Sequence, residues 1–288
     1  MEASWLAGRR LLPAARGIFV ELATGSWFCP SARVKTTPCL TRFLACGLLL
    51  TAALTAEEVT LHTGFDYSAG NYGLPVSTEI TTIPLSLSYV VNQTTWELSL
   101  PYLRINGPGE VVPGIGRYTA RLLRSKSVSQ GLGDFTMGVT HEFGAAEGRP
   151  WSWAAGAEVK FGTASAAKSL GTGENDFATH VDFTFTAGAF TPFATLGYRW
   201  LGNPAGSDLR NYVFGTVGVN WACTEKTTLG LLADWAERNS TGGSTSSSFT
   251  LSVTRALGEH WQIQAYVVQG NSDATADHGL GLGLSRRF

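Results

Sequence analysis

The amino-acid sequence predicts an all-β fold: a transmembrane antiparallel up-and-down β-barrel of about 12 strands. Three observations predict it. Apolar and polar residues alternate along segments of about 9 to 15 residues, short turns and long loops connect these segments in turn, and tryptophans gather at two levels. Alternation is typical of half-buried strands. Strands of soluble proteins average about 5 to 6 residues, whereas about 9 to 11 tilted residues cross a bilayer.

The alternation is clearest in the segment 151–161. Its odd positions are mostly large and apolar, while its even positions include Glu158 and Lys160. The same period-two pattern recurs along the rest of the chain from residue 57 onward. We predict strands at 57–68, 77–91, 93–104, 131–143, 151–163, 174–187, 189–201, 209–222, 227–239, 245–257, 260–270 and 277–288.

The connections differ between the two ends of these strands. Those after strands two, six, eight and ten are tight, with single residues such as Asn92, Gly188 and Gly258, and the one after strand four is of moderate length. Those after odd-numbered strands are longer and polar. Tight turns on the periplasmic side and long loops outside are the plan of a bacterial outer-membrane barrel.

The tryptophans favour a membrane over a soluble sandwich or a soluble barrel. Trp151, Trp221 and Trp261 fall at the tight-turn ends of the predicted strands, and Trp200 and Trp235 fall near the opposite ends. A lipid bilayer has two interfaces that attract tryptophan, whereas a soluble core has no reason to place it at two levels. Twelve long strands also carry more apolar surface than one core accommodates.

The composition agrees with this fold and excludes some partners. Only 15% of the 288 residues are charged, against roughly 25% in soluble domains, and the net charge is -1. A nucleic-acid partner is not expected, because binding it requires a basic surface. We also predict no cofactor and no metal site. The acidic DATADHG segment near the C-terminus is better explained as a solvated loop than as a cation site.

The N-terminal region predicts export. Basic residues precede the apolar run 43–54, and small residues follow it, which is typical of a secretory signal peptide. We therefore divide the chain into a dispensable extension at 1–33, explained by a start site assigned too early, a signal peptide at 34–56 and the barrel at 57–288. Three of the four cysteines precede the cleavage site, so Cys223 has no partner for an internal disulfide.

Charged residues fall on the strand face opposite the apolar one and are predicted to line the pore. An ionised group facing lipid would cost about 2–4 kcal/mol near the bilayer midplane. Glu158 is expected to lie roughly opposite His180, and Arg199 is expected one strand further round the barrel. Two interpretations stay open: the charges neutralise one another and fill the lumen, or they form a narrow charged passage for small solutes. The predicted set is Glu97, Asp134, Glu142, Glu158, Lys160, His180, Asp182, Arg199 and Asp234.

The stretch 105–130 is the most unusual loop, because it is long and basic. Loops of this length are commonly functional. It is expected either to dip into the lumen as a constriction or to lie outside against lipopolysaccharide phosphates, with a short helical turn near Tyr118. Its basic residues are Arg117, Arg121, Arg124 and Lys126.

The C-terminus carries an apolar-alternating last strand with a terminal aromatic residue. This pattern resembles the signal read by the outer-membrane barrel assembly machinery, although Arg286 occupies a position that is usually apolar. The predicted signal consists of Leu280, Leu282, Leu284 and Phe288. Gly279, Gly281 and Gly283 do not have the spacing of a nucleotide-binding loop, and we expect them to face the lumen or to ease barrel curvature.

The segments GLGDFTMGVTHEF, AEVKFGTASAAKSLGTGEND and TPFATLGYRWLGNPAGSDLRN, starting at residues 131, 157 and 191, carry a resemblance to a known family. The chain is similar to bacterial outer-membrane barrels associated with meta-pathway phenol degradation, many of which are described as transporters. The likeness covers 131–288 and extends more weakly to 57. The resemblance implies passage of small molecules, including aromatic or apolar compounds, and no catalytic residues.

We therefore expect a channel for passive diffusion of small molecules, located in the outer membrane with lipid and lipopolysaccharide around it. No plug domain is expected before the first strand, which argues against energised uptake. A structural or surface-interaction barrel is one alternative. A barrel enzyme acting on lipid is a weaker one, because the sequence shows no serine-centred motif near His180, the most plausible base.

Overall fold

A computed structural model describes residues 58–109, 111–117, 127–143 and 149–288. The predicted extension and signal peptide lie outside these residues. In the described part of the chain, no helix is long and apolar enough to cross a membrane. One short 3-10 helix, Ala166–Lys168, is present there, and the remaining regular structure is β-strand.

Seventeen strands follow one another in the described residues. They are β1 (Glu58–Gly70), β2 (Thr78–Ile83), β3 (Leu85–Val91), β4 (Thr94–Ser99), β5 (Tyr102–Gly107), β6 (Val111–Val112), β7 (Gly116–Arg117), β8 (Ser127–Leu132), β9 (Phe135–Phe143), β10 (Trp151–Phe161), β11 (Asp176–Phe185), β12 (Phe190–Trp200), β13 (Tyr212–Thr224), β14 (Thr227–Ala236), β15 (Ser246–Leu257), β16 (Trp261–Gly270) and β17 (His278–Arg287).

Fifteen of these strands form one antiparallel sheet that closes on itself. Strand β17 pairs with β16 on one side and with β1 on the other, over a register that runs from Thr60↔Arg287 to Ala69↔His278. At three places in the barrel, two short strands that follow each other in sequence form one interrupted barrel strand. These are β2 with β3, β4 with β5, and β8 with β9. The barrel therefore has twelve strands, which confirms the predicted fold class.

The interruptions have identifiable causes in two of the three strands. Pro84 separates β2 from β3, and Pro101 lies between β4 and β5. Proline cannot donate a ladder hydrogen bond, so pairing stops there. The third barrel strand extends to residue 107 and the fourth begins at residue 127, so both are longer than predicted. The reason is that the sheet continues above these interruptions.

The barrel wall separates at its long-loop end. Strand β9 pairs with both β4 and β10, whereas β8, among the described residues, pairs only with β5. The segment 162–175 folds back into this gap. The backbone N–H of Ala164 donates a 2.8 Å hydrogen bond to Asp134, and Leu170 lies against Gly131. The wall is therefore completed here by a loop.

The outward face of the sheet is apolar. Leu196, Val217 and Phe249 are between 55% and 63% exposed, whereas Thr250, next in sequence to Phe249, is only 1% exposed on the inner face. This arrangement is the reverse of a soluble barrel and fits a surface that contacts lipid. The five tryptophans used in the prediction are all exposed, at the two ends where the sequence placed them.

A buried apolar cluster lies inside the barrel at the long-loop end, where the sequence predicted a polar lumen. Loops and the upper parts of β2 and β5 contribute to it, so the inner face there is apolar instead of polar. The cluster consists of Tyr72, Leu74, Ile80, Leu103, Ile105, Val111, Ala164 and Leu170, with Ala276 packed against it.

Candidate functional site: the lumen cavity

A short hairpin lies across the long-loop end of the lumen. Strands β6 and β7 pair with each other and are separate from the barrel sheet. Val112 and Ile115 of this hairpin pack on Leu209, a residue of the loop between β12 and β13. The amide of Asn239, from the loop between β14 and β15, donates a 2.7 Å hydrogen bond to the carbonyl of Ile115. The hairpin therefore reaches across to the opposite wall.

This position answers part of the question left open for the stretch 105–130. Residues 111–117 lie within the barrel mouth and not outside it. Arg117 is in β7, while Arg121, Arg124, Lys126 and the predicted helical turn lie outside the described residues. The role of these basic side chains stays a prediction.

Beneath the hairpin is a cavity of about 390 Å³. Its roof is largely apolar and includes Val112, Ile115 and Leu170. Tyr72 also borders it from the loop after β1, and burial raises the pKa of the Tyr72 phenol to about 12, so this hydroxyl stays protonated at neutral pH. The middle of the wall is charged, as described below. The cavity is therefore apolar above and acidic around its sides.

A second apolar cluster lies inside the lumen beneath the cavity and borders it through Tyr266, which forms the cavity floor. Phe193, Leu232 and Tyr266 are each no more than 6% exposed and pack together from β12, β14 and β16. Below this layer the lumen contains buried polar side chains such as Gln264 and Asn220. A smaller cavity of about 150 Å³ lies at the tight-turn end, and His62 and Glu97 line it. The floor thus separates two chambers.

The lysine and arginine side chains that the structure describes in the upper chamber are paired with carboxylates. Lys160 Nζ lies 3.1 Å from Asp134 and 2.9 Å from Asp176. Arg199 Nη2 lies 3.2 Å from Glu158 Oε1, and both of these side chains are almost entirely buried. Arg199 and Glu158 are two strands apart, and Ala178 on β11 lies between them in register.

His180 does not face Glu158, so that prediction is wrong. The register places His180 opposite Gly156, two residues along β10 from Glu158. His180 instead lies 3.5 Å from Asp182, which also accepts a 2.6 Å hydrogen bond from Thr195. Two-residue periodicity places both groups on the inner face but does not fix the offset between neighbouring strands, which explains the error.

Two further carboxylates border the cavity with hydroxyl partners. The Tyr266 hydroxyl donates a hydrogen bond to Asp66, and the Thr216 hydroxyl donates a 2.7 Å hydrogen bond to Asp234. Neither carboxylate forms an ion pair with a lysine or arginine of the described residues. Asp66 was not among the predicted pore residues, although its even position in β1 places it on the inner face.

Long inward side chains lie along the wall, over glycines on the neighbouring strand. Tyr266 reaches Asp66 across Gly281, and a Cβ atom on Gly281 would collide with the Tyr266 ring. His180 lies across Gly156 in the same way and approaches Thr140. Because these side chains run around the wall instead of across the lumen, space remains at the centre.

The structure places all the predicted pore residues on the inner face. Seven of them border the upper cavity: Asp134, Glu158, Lys160, His180, Asp182, Arg199 and Asp234. Glu97 lines the lower cavity, and Glu142 lies on the inner face of β9, opposite Ala154 on β10. Their function as pore-lining residues stays a prediction. The described residues contain no cluster of His, Cys, Asp and Glu that could hold a metal ion.

Sequence reasoning missed the apolar roof and floor. Val112, Ile115, Phe193 and Leu232 face the lumen, although apolar residues were expected to face lipid. A signal was present for the roof, because the otherwise polar loop contains the apolar run VVPGI at 111–115.

The last strand has the exposed apolar face that the predicted assembly signal requires. Leu280, Leu282, Leu284 and Phe288 all point outward. The guanidinium of Arg286 lies 5.3 Å from the ring centroid of Trp261 and 4.6 Å from that of Phe288. Cation–π contact at the interface therefore accommodates a charge where the signal usually has an apolar residue.

Solved structures with a similar fold are outer-membrane barrels. An outer-membrane channel from Pseudomonas putida F1 superposes with a TM-score of 0.64 at 12% identity, over 80% of this chain and 95% of that one. The NanC porin superposes with a TM-score of 0.52 at 10% identity, over 78% of this chain and 98% of that one. At these identities the likeness shows the fold alone.

The family comparison reaches further than the fold. No curated protein matches the sequence significantly. The family described as "Putative MetA-pathway of phenol degradation" matches residues 58–288, a range that includes every residue that the structure describes. The chain belongs to this family of outer-membrane β-barrels.

Proposed function

We propose that the protein is an outer-membrane channel for the passive diffusion of small molecules, including aromatic or apolar compounds. The observation that carries this proposal is the lumen cavity of about 390 Å³ beneath an apolar roof. A barrel that served only as a membrane anchor has no need of a cavity of this size in its lumen. The fold of the Pseudomonas putida channel and the family description support the same function.

Passage requires two layers to move. The hairpin lies over the chamber, and the cluster of Phe193, Leu232 and Tyr266 lies beneath it. Both layers consist of side chains and a short hairpin outside the barrel ladder, so they can rearrange while the wall stays intact. The chamber described here is thus the closed state of the proposed channel, and a solute of limited size is the expected cargo.

Single-channel recording on protein purified from outer membranes tests this proposal. We expect discrete conductance steps in a planar bilayer, and a larger conductance for Phe193→Ala, which opens the floor. Phe249→Ala is the matched control, because Phe249 is 55% exposed on the outer face. A folded barrel that stays silent in both the wild type and Phe193→Ala would overturn the channel.

A surface or structural role is the second candidate, and the filled lower lumen favours it. Buried polar side chains, including Gln264, Thr250 and Asn220, occupy the space between the two chambers. The silent outcome above would support this role. Contacts with lipopolysaccharide and with the barrel assembly machinery, through the last strand, are proposed for either function.

A further inference from the structure

The charge of the upper chamber is unbalanced. Among the described residues, six carboxylates on the inner wall border it: Asp66, Asp134, Glu158, Asp176, Asp182 and Asp234. Among the side chains that the structure describes, which do not include that of Arg117, Lys160 and Arg199 are the only lysine or arginine side chains that border it. Lys160 contacts two carboxylates and Arg199 contacts Glu158, so three carboxylates have no lysine or arginine beside them among the side chains that the structure describes.

These three carboxylates are spread around the wall. Asp66 is on β1, Asp182 on β11 and Asp234 on β14, which are the first, sixth and ninth strands of the twelve. Their neighbours are hydroxyls and, for Asp182, the imidazole of His180. A solute in the chamber therefore meets negative charge on several sides, in a space where water provides little screening.

The roof limits what kind of cation fits. Val112, Ile115 and Leu170 present apolar surface to the same chamber, and an inorganic cation gains nothing from contact with them. A molecule with an apolar body and one charged end satisfies both regions at once. The apolar body would remain against the roof, and the charged end would approach the carboxylates.

We propose that the chamber selects small organic cations: an ammonium group on a compact apolar body. This inference rests on the proposed function only in that the chamber lies on the solute path, and it specifies the class of solute. Neutral and anionic molecules of the same shape lack the attraction to the wall, and anions are repelled by it.

Three compounds that share a phenyl ring test the proposal. Benzylamine is cationic at pH 7, benzyl alcohol is neutral and benzoate is anionic. Isothermal titration of the full-length protein in detergent should show benzylamine binding at least about tenfold more tightly than either of the others, a modest ratio for a charge in a poorly screened site. Equal binding of benzyl alcohol or benzoate would overturn the proposal without any variant.

Variants then locate the effect. Asp66→Asn and Asp234→Asn keep the side-chain shape and should each weaken benzylamine binding by about tenfold, with little change for benzyl alcohol. Glu225→Gln is the matched control, because Glu225 is exposed in the tight turn between β13 and β14. Benzylamine affinity that is unchanged in both aspartate variants would refute the role of these carboxylates.

The outcome separates this proposal from the channel itself. Benzylamine binding without any flux into protein-containing vesicles would overturn the channel and leave the cation preference standing. Ionic current with equal passage of potassium and chloride, and no preference for benzylamine, would overturn the cation preference and leave the channel standing.

Discussion

Loosening the hairpin from the opposite wall should open the channel more often. The side-chain amide of Asn239 donates a 2.7 Å hydrogen bond to the carbonyl of Ile115, and the hydroxyl of Ser169 donates a 2.9 Å bond to the carbonyl of Gly109 at the start of the hairpin. Asn239→Ala removes the first of these tethers without touching the barrel ladder.

The size of the effect follows from these bonds. A neutral hydrogen bond contributes about 1 kcal/mol net, which is about a fivefold change in an equilibrium constant. We expect Asn239→Ala to raise the open probability about fivefold. The two tethers are at different ends of the hairpin, so adding Ser169→Ala should multiply the effects to about 25-fold, if independent bonds add.

Single-channel open probability is the measurement. Asn203→Ala is the control, because Asn203 is an exposed loop residue whose side chain contacts Ser207. The reasoning would be refuted if Asn239→Ala and Asn203→Ala gave the same open probability as the wild type while unit conductance was normal. The hairpin would then be a fixed part of the wall, and the solute would take another path.

Three further predictions concern the wall and the mouth. Gly281→Val should push the ring of Tyr266 into the chamber and lower unit conductance, with the β-sheet circular dichroism unchanged. Arg199→Leu should lower the unfolding free energy by about 3 kcal/mol, because it leaves Glu158 buried without its partner. The double variant Glu158→Leu/Arg199→Leu should recover most of the lost stability, as measured by a double-mutant cycle of thermal unfolding. Burial raises the pKa of Tyr72 from 10.0 to about 12, so the unfolded state loses the phenol proton at lower pH than the folded state does. The free energy of unfolding should therefore fall as the pH rises from 10 to 12. Tyr72→Phe should reduce this loss by about 3 kcal/mol, measured by alkaline denaturation.

The sequence predicted the wall of this protein well, because the wall depends on local patterns. Alternation alone separates the exposed Phe249 from the buried Thr250, and the strand lengths indicate a bilayer. The same patterns place Asp182 and Asp234 on the inner face. Each of these conclusions needs only the residues of one strand and the cost of placing charge in lipid.

The contents of the lumen could not be predicted in the same way. Whether Glu158 meets His180 or Arg199 depends on the register of three strands, and Tyr266 reaches Asp66 only because residue 281 between them is a glycine. These are contacts across strands that alternation within one strand does not specify. The register is set by turn geometry and by packing of the whole sheet.

The path of the hairpin is the hardest feature to anticipate, and it determines how the barrel functions. Burial of the apolar loop segment 111–115 inside the barrel is favourable only if other apolar side chains are there to pack against it. Those side chains include Leu209 and Leu170, which come from distant parts of the chain. Burying such a run inside the mouth stabilises the closed chamber, yet the apolar surface that it leaves facing the cavity is also where an apolar solute binds. A solute that contacts the roof therefore competes with the packing that holds the roof in place. For this reason we expect apolar bodies to promote opening in addition to binding, so benzylamine should raise the open probability, whereas the same concentration of potassium should leave it unchanged.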